Sequence, residues 1–237
     1  MFAFETRIQN DGGEEGKEIG VSGILSIFQD TMTALNNHLG MSYDDLMALG
    51  YVWFVTKYWL RVSRWPVQGE RILVETELTA AEGFIAERTF YLSDSKGNLL
   101  MQSVSDWMLN SLSEERIVRL EEVPEMKIYE VVGDKRTNFK RLNRVTHWSN
   151  QREHIVEEAD LDVNRHVNHG KYVVWVEDWL AEANQNIRDF NDIKVVYKNQ
   201  AYLGDTLTLK IAEQGGGYRF DMLSENDQPA CQIEIQP

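Results

Sequence analysis

The sequence predicts an α+β fold made of two tandem units, each a long helix accompanied by an antiparallel β-sheet. Two observations carry this expectation. An amphipathic helical stripe followed by four strand-like runs occurs twice within 237 residues. A ten-residue stretch that opens a strand in the first half also returns at the corresponding place in the second.

The helix after Ser22 carries Leu25, Phe28, Met32, Leu35 and Leu39 at three- and four-residue steps, the spacing that lines up one apolar face. Runs rich in aromatic and β-branched residues follow at 52–62, 71–78, 84–93 and 99–110, broken by Pro66, Gly69, Gly83 and the turn Asp94 to Asn98. A second helix begins around Asn168 with Tyr172, Val176, Trp179, Leu180 and Ala183 on one face, and strands are expected at 193–202, 206–213, 218–224 and 230–235. Trp65 to Val74 matches Gln200 to Leu209, since Gly69-Glu70 and Gly204-Asp205 each precede alternating apolar residues. The expected domains are 1–132, a basic linker over 133–147, and 148–237.

Composition narrows the function. A net charge of -14 argues against nucleic acid as a general partner. No run approaches the ~18 apolar residues of a membrane span. The segment Met1 to Glu5 lacks a signal peptide's basic region and apolar core, so a soluble, cytoplasmic protein is expected. The single cysteine, Cys231, lies in an apolar strand-like tail and reads as a small buried residue rather than a nucleophile. No Gly-x-Ser-x-Gly elbow, phosphate loop or Gly-x-Gly-x-x-Gly is present.

Chemistry concentrates in Asp160 to Asn168, where carboxylate, amide and imidazole groups alternate just ahead of the second helix. Alternation is the period of an extended segment, which would put Asp162, Asn164 and His166 on one face. Such a set can orient water, move a proton and donate hydrogen bonds, with the backbone N–H groups from Asn168 to Lys171 as oxyanion donors. His166 and His169 with Asp162 raise the possibility of a metal. No further ligand cluster accompanies them, and no cofactor is expected.

The stretch Gly133 to Arg144 holds five basic residues, Lys135, Arg136, Lys140, Arg141 and Arg144, against one acid. In an acidic chain it reads either as a solvated linker or as a docking patch for an acidic partner.

Asp162-Val163-Asn164-Arg165-His166-Val167-Asn168, with Tyr172 and Trp175 downstream, resembles the catalytic stretch of acyl-acyl carrier protein thioesterases. Val52 to Tyr58, Arg64-Trp65-Pro66, Gly69-Glu70 and Ser105 to Met108 resemble that family's first half. The resemblance implies tandem hotdog units, in which each sheet wraps one long helix, and the release of free fatty acid from an acyl carrier protein at the end of chain elongation. It implies that the first half holds the acyl chain and that Asp162, Asn164 and His166 are catalytic. The family's further acid falls at Gln200, which can hydrogen-bond but cannot take a proton, and Ala201 stands where plant members have cysteine. Carrier docking would fall to the basic stretch, and a homodimer remains open. Two rival readings are an acyl-CoA thioesterase of the same architecture and a non-catalytic acyl-binding protein.

Overall fold

The computed structural model describes residues 1–9, 16–133, 136, 137, 139 and 141–237. They form two compact units, one of Met1–Ile19 and Ile24–Phe139, the other of Gly20–Gly23 and Lys140–Pro237.

Unit 1 contains β1 (Phe2–Arg7), α1 (Val21–Leu39, whose opening residues group with unit 2), α2 (Tyr43–Ala48), β2 (Tyr51–Val62), β3 (Arg71–Glu82), β4 (Ile85–Asp94), β5 (Leu99–Ser111) and β6 (Arg116–Val118). Its antiparallel sheet runs β1-β3-β4-β5-β2, with β6 on β5. The expected stripe of α1 is buried at Leu25, Phe28, Met32 and Leu35, while Leu39 is half-buried. Phe28 stacks on Phe90 of β4 with ring centroids 4.4 Å apart and tilts against Tyr58 of β2. The helix therefore covers the sheet face that carries Phe90 and Tyr58, as the hotdog expectation requires.

Unit 2 contains β7 (Asn150–Ile155), α3 (His169–Glu182), β8 (Asp192–Tyr197), β9 (Thr206–Gln214), β10 (Gly217–Leu223) and β11 (Pro229–Gln236), with its antiparallel sheet ordered β8-β11-β10-β9-β7. Tyr172, Val176, Trp179 and Leu180 of α3 are buried, and Trp179 meets Phe220 of β10 edge-on at 6.2 Å. Ala183, expected on that face, is the exposed C-cap residue instead. The strand expected over 193–202 stops at Tyr197, which leaves Gln200 in a loop. The edge strands β1 and β7 were absent from the sequence reading. Each alternates half-buried and exposed residues, so neither shows a continuous apolar run.

The repeated ten-residue stretch forms the same turn twice. Gly69 and Gly204 adopt φ of 82° and 85°, a region where glycine pays no side-chain penalty. Glu70 N–H donates to the Val67 carbonyl while the Glu70 carboxylate accepts the Val67 N–H. Asp205 and Tyr202 repeat both bonds.

Each sheet also carries a charged row, buried except for the half-buried Lys57, on the face away from its helix. In unit 1, Lys57, Asp106 and Glu87 lie side by side in register, and Asp106 pairs with both Lys57 Nζ at 3.1 Å and Arg136 Nη2 at 2.8 Å. Glu87 accepts the Thr137 N–H at 2.8 Å. In unit 2, Lys194, Glu234 and Arg219 form the matching row, and Glu234 accepts Lys194 Nζ at 2.8 Å and the Asn143 N–H at 2.6 Å. Two parts of the connecting segment are thus fastened by buried carboxylates, one in each unit.

Candidate active site

The stretch that holds Asp162, Asn164 and His166 is a tight hairpin, not an extended strand. Leu161 bridges Val167, Asp162 N–H donates to the His166 carbonyl at 2.8 Å, and Arg165 N–H donates back to the Asp162 carbonyl at 3.1 Å. The expectation of one shared face by strand alternation is corrected accordingly. The physical reason is the Asp162 side chain, whose Oδ1 accepts the Asn164 N–H at 2.8 Å and faces the His166 N–H at 3.4 Å. That Asx turn satisfies backbone donors locally and favours bending over extension. Arg165 takes up the left-handed strain of the bend at φ 65° and pairs outward with Glu158. Val163 and Asn164 form the exposed tip, and His166 is half-buried at its base.

Gln200 is brought to this hairpin through Tyr202. Val167 N–H donates to the Ala201 carbonyl at 2.9 Å, and His166 and Tyr202 form an isolated antiparallel bridge. The rings of His166 and Tyr202 meet edge to face at 5.2 Å, and the Tyr202 hydroxyl donates to Gln200 Oε1 at 2.8 Å. Four residues thus form one contiguous polar surface: Asp162, His166, Tyr202 and Gln200.

The start of α3 differs from expectation in one respect. Asn168 is the N-cap, and its Oδ1 accepts the Gly170 N–H at 2.8 Å while its carbonyl accepts the Lys171 N–H at 2.9 Å. Those two donors are spent on the cap and are not oxyanion donors in this arrangement. His169 follows with its imidazole against Tyr197, ring centroids 6.0 Å apart, and the Tyr197 hydroxyl donates to the His169 carbonyl at 3.0 Å. Burial pushes the His169 imidazole below its ordinary value, against the opposing pull of the Asp162 charge, which keeps it neutral near neutral pH.

A second histidine and acid brace the hairpin from behind. His154 Nε2 lies 2.9 Å from Asp160 Oδ2, and its ring packs on Trp175 with centroids 4.0 Å apart. Burial pushes the Asp160 carboxyl up. The Glu157 N–H, His154 and Lys171 outweigh it and hold the group below its usual range. The Asp160 carbonyl accepts the Asn168 N–H at 2.8 Å, so the pair anchors the residue that caps α3. Sequence reading missed His154 and Tyr202 as site residues, and it named Asp160 only as the first residue of the motif. Tyr202 stood within the repeated stretch, which is the one signal that touched it.

Of the basic stretch, Arg136 is committed to Asp106, whereas Arg141 and Arg144 are exposed. Lys135 and Lys140 lie outside the described residues. Among the described residues no three His, Cys, Asp or Glu side chains converge as a metal site needs, and no helix is long and apolar enough to cross a membrane.

Two sheet-and-helix units in tandem, with an Asp-x-Asn-x-His hairpin ahead of the second helix, place the chain among tandem hotdog proteins. It belongs to the acyl-ACP thioesterase family, whose N-terminal domain model matches residues 2–128 and whose C-terminal domain model matches residues 144–236. The chain is 30% identical over 141 residues to the chloroplastic palmitoyl-acyl carrier protein thioesterase of Gossypium hirsutum, covering 53% of this chain and 32% of that protein. It is 25% identical over 237 residues to the chloroplastic dodecanoyl-[acyl-carrier-protein] hydrolase of Cinnamomum camphora, covering 95% and 58%. The chain spans between 32% and 61% of the length of the curated relatives it matches. Among solved structures, the 12:0-ACP thioesterase of Umbellularia californica superposes with a TM-score of 0.82 at 18% identity, over 99% of this chain and 96% of that one. An acyl-ACP thioesterase of Bacteroides thetaiotaomicron gives a TM-score of 0.79 at 14% identity, over 99% and 96%. Both likenesses bear on the fold.

Proposed function

We propose that the protein hydrolyses fatty acyl thioesters carried on an acyl carrier protein, releasing free fatty acid. The observation that carries this reading is the split use of the Asp162 carboxylate. Oδ1 is held by turn amides, and among the described residues Oδ2 accepts no hydrogen bond; in this reading Oδ2 holds the attacking water. In the reaction, Asp162 takes the proton as water oxygen adds to the thioester carbonyl carbon. The tetrahedral oxyanion then collapses, the C–S bond breaks, and the thiolate leaves to be protonated. His166 lies on the same hairpin and serves proton transfer, with Tyr202 and Gln200 fixing its ring. Asn164 at the tip supplies an amide to the carbonyl or the water. A positioned base contributes about 10²- to 10⁴-fold.

In this reading unit 1 holds the acyl chain, and the exposed Arg141 and Arg144 meet the acidic carrier. The cytoplasm is the proposed compartment, consistent with a free, buried Cys231. Purified protein should be assayed on matched acyl chains linked to carrier protein and to CoA. Faster turnover on the carrier-linked chain supports the reading. Preference for CoA moves the substrate, and acyl binding without turnover removes the activity.

A further inference from the structure

We propose that the interior of unit 1 receives an acyl chain bearing an acceptor oxygen, as hydroxyl or carboxylate, and that Arg88 is the group that binds it. The proposal rests on the reading of unit 1 as the acyl-holding half. Side chains alternate across β4, so Arg88 shares the helix-facing side with Phe90, which stacks on Phe28 of α1. Arg88 is 5% exposed.

Its partners are too few for a buried cation. Nη1 reaches Thr76 Oγ1 at 3.4 Å, and among the described residues no ion pair and no other hydrogen bond engages the guanidinium. Among the described residues, the other two cations buried this deeply each meet an acid: Arg219 Nε meets Asp221 at 2.6 Å, although its Nη1 has no partner, and Lys194 meets Glu234 at 2.8 Å. Burial pushes the Arg88 guanidinium down to about 10, with Tyr129 opposing, so the group stays charged at neutral pH. A guanidinium offers five donors, and burying them without acceptors is costly. The neighbourhood is polar within an apolar face. The Tyr129 hydroxyl donates to Asn36 Oδ1 at 3.0 Å and its ring meets Trp53 edge-on, while Val74, Leu92 and Phe90 are buried residues of the same sheet face. A plain hydrocarbon leaves those donors unmet, and an oxygen on the chain supplies the acceptor that the protein omits.

The probes are pantetheine amides, which are not hydrolysed as thioesters are, carrying plain, ω-hydroxy and ω-carboxy acyl chains of equal length. Binding is measured by calorimetry to the wild type, Arg88→Met and Arg88→Lys, with thermal unfolding recorded for each. The wild type is expected to bind at least one oxygenated chain about tenfold more tightly than the plain chain, the size of a hydrogen bond to a charged group. Arg88→Met should erase or invert that ranking, and Arg88→Lys should keep part of it. Tighter binding of the carboxylate identifies an ion pair, and equal binding of both oxygenated chains identifies a hydrogen bond. A wild type that favours the plain chain, or a folded Arg88→Met with unchanged ranking, overturns the proposal. If Arg88→Met does not fold, the wild-type ranking and Arg88→Lys decide. Parallel hydrolysis of a plain carrier-linked thioester tests the activity separately, so loss of the ranking with turnover intact removes this inference alone.

Discussion

The Asp162 carboxylate accepts the backbone N–H of Asn164 at 2.8 Å, so one oxygen of this acid shapes the hairpin while the other accepts no hydrogen bond among the described residues. Replacing Asp162 with Asn keeps an acceptor for the turn and removes the charge. Asp162→Asn should therefore lower kcat by about 10²- to 10⁴-fold, with stability changed by no more than about 0.5 kcal/mol. Asp162→Ala should lose the turn bond as well, costing about 1 kcal/mol more in denaturant unfolding. Near-normal turnover by Asp162→Asn would remove Asp162 as the base.

Tyr202 joins Gln200 to His166, which makes its hydroxyl separable from its ring. Tyr202→Phe should keep the ring contact, release Gln200 and reduce kcat by about 3- to 10-fold. Gln200→Ala should give a similar loss, and Gln200→Glu should retain activity with a changed pH profile. Wild-type kinetics in both Tyr202→Phe and Gln200→Ala would make the position a spectator.

The basic stretch divides by contact. Arg136 is engaged by Asp106, a carboxylate only 1% exposed, so Arg136→Ala leaves a buried acid with one fewer partner. It should lower stability by about 1 to 3 kcal/mol in thermal or denaturant unfolding. Neutralising Arg141 and Arg144 should instead raise KM for carrier-linked substrates alone, an effect that fades as salt rises. Equal loss on a small thioester would place the damage in the fold.

Glu177 of α3 accepts the Val21 N–H and the Ser22 hydroxyl, both at 2.7 Å, and so caps α1. Burial pushes its carboxyl above the ordinary value, although those two donors oppose the shift. The unfolded chain then loses this proton at lower pH than the folded one, so Glu177 makes stability fall as pH rises above about 4.5 toward the raised folded value. Glu177→Gln can still bond both partners and should flatten that slope. Glu177→Ala should cost about 2 kcal/mol at every pH by leaving the cap unmet. Stability curves recorded against pH for the three proteins distinguish these outcomes.

The sequence by itself determined the two units and the repeated turn, because both rest on local chemistry. A 3.6-residue stripe needs only a helix to become the face bearing Phe28 or Trp179, and Gly69 and Gly204 need only their own φ to form matching turns. Asp162, Asn164, His166 and Gln200 were legible as residue types but not as a geometry. Alternation pointed to an extended face, whereas the short Asp162 side chain captured the Asn164 N–H and bent the chain. Only the tertiary structure decided that Tyr202 links Gln200 to His166, that His154 braces Asp160, and that Arg136 belongs to Asp106. Each of those contacts depends on which strand lies beside which. Strand neighbours are chosen by burying two whole faces at once, a requirement that no short spacing in the chain records.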